Sequence, residues 1–202
     1  MTGILSPQGW QFTALLALAV LLALAVRSDA RQRRIPNTLV LVALMAGVLL
    51  NLAHTASDAR TGLFTTEPGA LGLWLSLAGA LTGLLLFLPM YLLRALGAGD
   101  VKLLAAVGAF AGPAATVNLA LCVLLAGGVL ALARMFLFPG GALVRHNMLA
   151  LLGQLRPGAT GPVFDPRTQT AWRMPYAVAV AGGVAGYAAW TLSGRAPFIP
   201  FG

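Results

Sequence analysis

Long apolar stretches, separated by short charged segments, constrain this chain more than any other feature of its sequence. The first runs from about Trp10 to Val26, and similar stretches recur along the 202 residues. Hydrophobic residues make up 59% of the chain and charged residues 9%, and the mean hydropathy is +0.87. Apolar stretches cross bilayers as helices because a helix pairs its backbone polar groups internally. The composition therefore predicts an all-α, polytopic membrane helix bundle rather than a soluble domain.

The apolar stretches predict about six transmembrane helices in a single integral membrane domain, residues 1–202, with both termini outside. Their approximate ranges are 10–26, 36–52, 70–93, 101–112, 114–138 and 174–192. The fourth is short, because a dozen residues rise only about 18 Å against an apolar core of about 30 Å. Two interpretations are open for it: a helix that continues past Pro113 with a kink, or a helix that ends in a thinned or water-filled region.

Two further patterns concern packing and the membrane surface. Gly72, Gly79 and Gly83 fall within one predicted helix, where small residues allow neighbouring helices to approach closely. Over residues 142–155, apolar residues recur at helical spacing and polar residues lie between them. This pattern predicts an amphipathic helix that lies in the interface and contacts membrane lipid. The apolar positions are Val144, Met148, Leu151, Leu152 and Leu155.

The basic residues are distributed unequally between the two sides of the predicted bundle. With the helices as assigned, only Arg60 and Arg195 lie outside, and the remaining eleven of the 13 Lys and Arg residues lie inside. This asymmetry predicts that the inside is the cytoplasm. The net charge of +8 is scattered over short segments without a basic face, which argues against nucleic-acid binding. The inside residues are Arg27, Arg31, Arg33, Arg34, Arg94, Lys102, Arg134, Arg145, Arg156, Arg167 and Arg173.

One carboxylate stands where an apolar stretch begins. Asp100 lies in the segment Gly97-Ala98-Gly99-Asp100-Val101-Lys102. A carboxylate near hydrocarbon costs at least a few kcal/mol, so such a group is a candidate functional residue. Asp is also a favoured N-cap, and Asp100 is equally well placed to cap a helix that begins at Val101. Gly97 and Gly99 are expected to permit a tight turn and the close approach of another segment.

A second carboxylate is predicted on the same side of the membrane. Asp29 lies just past the expected end of the first helix, and Pro36 suits the first turn of the second helix. Two carboxylates that meet share a proton and can act as the general base and general acid of an aspartic protease. This chemistry requires no metal or cofactor. The chain has one cysteine, Cys122, so a disulfide framework and a four-cysteine metal site are both excluded.

These residues resemble two signature regions of the type IV prepilin peptidases, which are membrane aspartic proteases of the GxGD class. One region is the Gly97–Lys102 segment, and the other runs from Asp29 to Ile35-Pro36-Asn37. Met174-Pro175-Tyr176-Ala177 is also similar to that family, so the likeness covers about residues 29–182. The resemblance implies that Asp29 and Asp100 are the catalytic pair, with Gly97, Gly99, Lys102, Ile35, Pro36 and Asn37 as supporting motif residues.

The resemblance also implies a substrate and a location. Members of the family cut the short basic leader from prepilins and pseudopilins at the cytoplasmic face of the bacterial inner membrane. The larger, bifunctional members N-methylate the new terminus and carry a four-cysteine zinc insertion between the first two helices. This chain has only residues 29–37 there, without cysteine. It therefore resembles the short members that serve Flp-type, tight-adherence pili, and methylation is not expected.

Two motif residues have open roles. Lys102 follows Asp100 by two positions, which on a helix turns it to another face, so it is interpreted as an anchor on the inside. Asn37 either hydrogen-bonds the catalytic site or makes the start of the second helix polar.

Three other functions compete with the prepilin peptidase hypothesis. A GxGD protease of the presenilin or signal-peptide-peptidase kind would keep the chemistry, but its Tyr-Asp pair and Pro-Ala-Leu motif are absent. A non-catalytic membrane component of a pilus or secretion system would use both aspartates only as caps or ion pairs. A transporter is disfavoured because no predicted span carries a charge near its middle.

Overall fold

The computed structural model describes residues 6–53, 61–93, 95–137 and 176–200. Five helices run through these ranges: α1 (Pro7–Gln32), α2 (Asn37–Ala53), α3 (Gly72–Leu92), α4 (Ala98–Leu137) and α5 (Tyr176–Leu192). No strand forms within them, apart from an isolated bridge between Gly62 and Gly69. The predicted all-α class is confirmed. The amphipathic helix predicted at 142–155 lies outside the described residues.

Three of the described helices, α1, α3 and α4, are long and apolar enough to cross a membrane. The other two, α2 and α5, are apolar and 17 residues long. Helix α4 packs against all four of the others, and α1 packs against α2 and α5. The structure is therefore a helix bundle with α4 at its centre.

Helix α4 consists of two arms that meet at Gly112. The backbone there is non-helical, with φ 76° and ψ 170°, a conformation that favours glycine. Asp100 in the first arm (98–111) and Gly127 in the second arm (113–137) both lie near Tyr176. Ala111 and Asn118 instead line one cavity of about 470 Å³ at the opposite end of the bundle. The arms therefore run in opposite directions, and the break falls where the sequence predicted the boundary between two helices.

Side chains from other helices stabilise this break. Pro113 has no N–H, so the carbonyl of Ala109 lacks its usual helical donor. Asn51 Nδ2 (2.9 Å) and Ser76 Oγ (2.7 Å) both donate to that carbonyl oxygen. The other end of the same amide, Asn51 Oδ1, accepts from the backbone N–H of Leu71 at 3.0 Å. Asn51 and Ser76 are almost fully buried, so these bonds replace the water that an exposed break would have.

The first arm of α4 is enclosed by protein. Residues 101–111 are all buried except Lys102. A helix that is apolar on every face belongs to the interior of a bundle. Since α2, α3 and α5 pack around α4, the short first arm does not need to match the thickness of a bilayer. It begins at Ala98, three residues before the predicted start at Val101.

Glycines bring α3 and the first arm into backbone contact. A Cβ on Gly79 would overlap the carbonyl oxygen of Gly108, and one on Gly83 would lie 2.6 Å from the carbonyl oxygen of Leu104. The predicted packing role holds for Gly79 and Gly83. It is wrong for Gly72, because a Cβ built at that position would have no atom within 4 Å. Gly72 has a φ of 78°, so its glycine serves the turn into α3.

Helix α1 is longer than the sequence predicted. It continues to Gln32 and ends with Arg33 in the left-handed conformation, where the Arg33 N–H donates to the carbonyl of Asp29. The expectation that Asp29 follows the helix was wrong, because Asp29 occupies its last turn. The physical reason is that the apolar stretch ends at Val26, whereas the arginines and alanine that follow favour helix as strongly as the apolar residues do.

We expect Asn51→Leu to lower the free energy of unfolding by about 2–4 kcal/mol. Leucine has a similar size, but it leaves the carbonyls of Ala109 and Phe110 and the N–H of Leu71 with fewer partners, and each buried unpaired group costs about 1–3 kcal/mol. Thermal unfolding in detergent measures the loss. Thr82→Val is the control, because among the described residues the Thr82 hydroxyl bonds only to the carbonyl of Ala78 in its own helix. Equal unfolding temperatures for both variants would contradict this role.

We expect Gly79→Ala to destabilise the bundle by about 1–3 kcal/mol, since α3 and the first arm must separate to admit the methyl group. Gly186→Ala makes the same change at a helical position where a Cβ meets nothing within 4 Å. That variant should unfold at the wild-type temperature or slightly above it. A Gly79→Ala protein as stable as the Gly186→Ala protein would refute the backbone contact.

Candidate active site

The first carboxylate, Asp29, is held by a helix N-terminus. It lies in the last turn of α1, and its side chain is only 8% exposed. Its Oδ2 accepts a hydrogen bond of 3.1 Å from the backbone N–H of Ala177, in the first turn of α5. The first N–H groups of a helix lack internal partners, and the helix dipole is positive at this end. The start of α5 therefore supplies a donor and a favourable field to a carboxylate that is otherwise removed from water.

The second carboxylate, Asp100, is half-buried in the first turn of α4. Its Oδ2 accepts a hydrogen bond of 3.1 Å from the backbone N–H of Gly97. This bond is the reciprocal half of a capping box, so Asp100 does cap its helix, although from the third helical position rather than from the N-cap. The negative charge of Asp29 acts on Asp100 through space. The two interpretations of Asp100 are thus compatible: it caps α4 and also lies within electrostatic range of the other carboxylate.

The two motif segments contact each other directly. Lys102 Nζ donates to Asn37 Oδ1 at 3.1 Å. A Cβ built on Gly99 would lie 3.3 Å from the Cβ of Ile35. These contacts join the start of α4 to the segment that enters α2, which follows Asp29 by a few residues. Neither Gly97 nor Gly99 has a positive φ, so neither position requires glycine for its backbone conformation. The expected close approach holds for Gly99.

Two groups at the start of α5 belong to this site and were not assigned to it from the sequence. One is the Ala177 N–H, and the other is the side chain of Tyr176, which the charge of Asp100 reaches. The only signal for them was the similarity of Met174-Pro175-Tyr176-Ala177 to the family. A sequence does not show which backbone N–H groups act as donors. Tyr176 and Asp100 are 76 positions apart, so only the folded structure shows that they are close enough to interact.

The assembled site offers two neighbouring carboxylates, a phenol and two backbone N–H donors. The described residues include no group of three or more His, Cys, Asp or Glu side chains that would hold a metal ion. Paired carboxylates that share a proton can deprotonate one group and protonate another in a single reaction. The arrangement therefore suits general acid–base chemistry on a substrate that approaches this end of the bundle.

The helices are apolar, and two aspartates lie at one end of the bundle. These features place the protein in the class of integral membrane proteins that carry acid–base groups at one end of the bundle. The sequence pattern of the type IV leader peptidase family matches residues 16–132. That is more than half of the chain, and the chain belongs to this family. The match includes Asp29, Asp100 and both segments that contact each other.

Similarity to a curated protein indicates the same family. The chain is 38% identical over 117 residues to the prepilin leader peptidase/N-methyltransferase of Dickeya chrysanthemi. The aligned region covers 56% of this chain and 38% of that relative, so the chain spans well under half of the relative's length. No solved structure matches the chain.

We expect Ile35→Cys with Gly99→Cys to form an intramolecular disulfide under mild oxidation. The two Cβ atoms are about as close as those of natural disulfides, whose Cβ–Cβ distance is about 3.5–4.5 Å. The background is Cys122→Ala, which removes the single native thiol. Mass spectrometry of the digested protein identifies the linked peptides.

The matched control is Ile35→Cys with Gly97→Cys. No atom of Ile35 lies within 4 Å of a Cβ on Gly97, so this pair should link far less. Equal linkage in the two proteins would mean that the motif segments are not held in register.

Proposed function

We propose that this protein is an aspartic endopeptidase that cleaves the leader peptides of type IV prepilins. The observation that carries the proposal is the contact between the two motif segments, which brings Asp29 and Asp100 within electrostatic range at one end of an apolar bundle. Membership of the leader peptidase family supports the same conclusion. Asp29 and Asp100 are the proposed catalytic pair, and no metal or cofactor takes part.

The proposed reaction is hydrolysis by a carboxylate pair that shares one proton. The ionised carboxylate removes a proton from water while the water oxygen bonds to the scissile carbonyl carbon, and the protonated carboxyl donates to the carbonyl oxygen. The C–N bond then breaks, and the amine leaves with a proton from the pair. Each carboxylate accepts a backbone N–H at a helix N-terminus, so we assign the role of base to the pair and not to one of its members. A shared proton predicts a rate that falls at both low and high pH.

The supporting residues hold the two aspartates in register. The Lys102–Asn37 hydrogen bond and the packing of Ile35 on Gly99 fix the start of α4 against the segment between α1 and α2. This contact supports a role for Asn37 in holding the site together and a role for Lys102 as a structural bridge rather than in the chemistry. Pro36 immediately precedes α2, where its fixed φ suits a helix start.

The substrate we propose is a Flp-type prepilin or pseudopilin, cut at the cytoplasmic face of the bacterial inner membrane. The eleven basic residues assigned to the inside fall at the end of the bundle that carries the aspartates, or in the segments predicted to adjoin it. The connection between α1 and α2 has no room for a zinc-binding insertion, because only four residues, 33–36, separate the two helices. The proposal is therefore leader cleavage without N-methylation.

We expect Asp29→Asn and Asp100→Asn each to reduce cleavage of a co-expressed Flp-type prepilin by at least about 10³-fold, because neither amide can share the proton. Both proteins should remain in the membrane at wild-type levels. Mass spectrometry of the prepilin detects the lost leader, and it also shows whether the new terminus carries a methyl group. Cleavage by either variant at the wild-type rate would exclude the carboxylate pair.

Two controls separate the competing functions. Glu67→Gln removes a carboxylate at the opposite end of the bundle and should leave cleavage unchanged. A metal chelator should also have no effect, and inhibition by it would point to a metal-dependent reaction. No cleavage by the wild-type protein, with the protein stable in the membrane, would favour the non-catalytic pilus component or a protease with another membrane substrate.

A further inference from the structure

Tyr176 adjoins the residue that binds Asp29, and its side chain lies within electrostatic range of Asp100. Tyr176 is the first residue of α5, and the next residue donates its N–H to Asp29. The Tyr176 ring meets Phe87 edge-on, with centroids 6.2 Å apart. It also contacts Gly127, where a Cβ would lie 3.1 Å from Tyr176 Cε2 and 3.3 Å from the hydroxyl oxygen. The ring is thus held between α3 and the second arm of α4, at the depth of the site.

The Tyr176 hydroxyl has no hydrogen-bond partner among the residues that the structure describes. It lies within electrostatic range of Asp100, yet the hydrogen bonds of the described residues include none to this hydroxyl. A half-buried phenol usually finds a partner, because an unpaired polar group costs about 1–3 kcal/mol. The free phenol pKa is about 10, so the group is a donor at neutral pH. A substrate carbonyl that reaches the carboxylates would come within range of this donor.

The proposed hydrolysis needs such a donor. Attack by water leaves negative charge on the former carbonyl oxygen, and the protonated carboxyl provides one hydrogen bond to it. A second, fixed donor lowers the barrier further, and removal of one such donor from an enzyme costs about 10²–10³ in kcat. We propose that the Tyr176 hydroxyl donates this second hydrogen bond to the tetrahedral intermediate, which makes Tyr176 a catalytic residue beside Asp29 and Asp100. This inference rests on the proposed peptidase function.

A packing role is the alternative, since the Tyr176 ring also fills the space between Phe87 and Gly127. The two roles differ in the part of the side chain that they require. Packing requires only the ring, which phenylalanine retains. Donation requires the oxygen, which phenylalanine lacks. Tyr176→Phe therefore separates them without creating a cavity.

The test is the cleavage of a purified prepilin by the full-length protein in detergent, with kcat and KM measured across pH. We expect Tyr176→Phe to lower kcat by about 100-fold with KM within about twofold. The pH profile should keep its shape, since the carboxylate pair is intact. Tyr187→Phe removes a hydroxyl from a buried tyrosine at the opposite end of the bundle, where its ring meets Phe64, and should retain wild-type kinetics.

A second pair of variants moves the Tyr176 ring without altering its chemistry. Gly127→Ala places a methyl group against the ring and should lower kcat by about three- to tenfold, because a small displacement of a catalytic group weakens the interaction. Gly128→Ala adds the same group where a Cβ meets nothing within 4 Å and should have no effect. This pair provides the test if Tyr176→Phe unfolds, as judged by its thermal transition.

The outcomes distinguish this inference from the proposed function. Wild-type cleavage with an equally active Tyr176→Phe variant would overturn the role of Tyr176 and leave the carboxylate pair intact. A loss that appears only in KM, or a pH profile displaced by one unit or more, would also overturn it, since the hydroxyl would then act in binding or through Asp100. If the wild-type protein does not cleave any prepilin, the proposed function fails and this inference fails with it.

Discussion

Backbone groups at a broken helix need partners, and inside an apolar bundle water is not available to provide them. Helix α4 meets this constraint at Gly112, where its two arms reverse direction. The amide of Asn51 and the hydroxyl of Ser76 supply the missing donors. The candidate site at the other end of the bundle depends on this reversal, because it brings Asp100 of the first arm and Gly127 of the second arm close to the same side chain, Tyr176.

The candidate site is composed of helix ends. Asp29 belongs to the last turn of α1, Asp100 to the first turn of α4, and the donor to Asp29 to the first turn of α5. Helix ends expose unpaired backbone groups and the charges of the helix dipole. They are therefore the places in an apolar bundle where carboxylates find hydrogen bonds without requiring an additional polar core.

The sequence predicted the parts of this structure that follow from local composition. The all-α class follows from the apolar stretches, and the break near Gly112-Pro113 follows from the chemistry of those two residues. Asp29 and Asp100 were identified because carboxylates are rare in such a chain. The end of α1 was misplaced, since hydropathy reports what is apolar rather than what is helical. Tyr176 was missed as a site residue because its proximity to Asp100 is a product of tertiary packing.

The hydrogen bond between Asp29 and Ala177 has a consequence for biosynthesis. The two residues are 148 positions apart, so a chain that enters the membrane from its N-terminus contains both aspartates long before it contains the donor. Asp29 gains its backbone partner only when α5 packs against α1. In a nascent chain, Asp29 would therefore lack this partner until the last described helix is in place, and the order of insertion would itself delay completion of the candidate site.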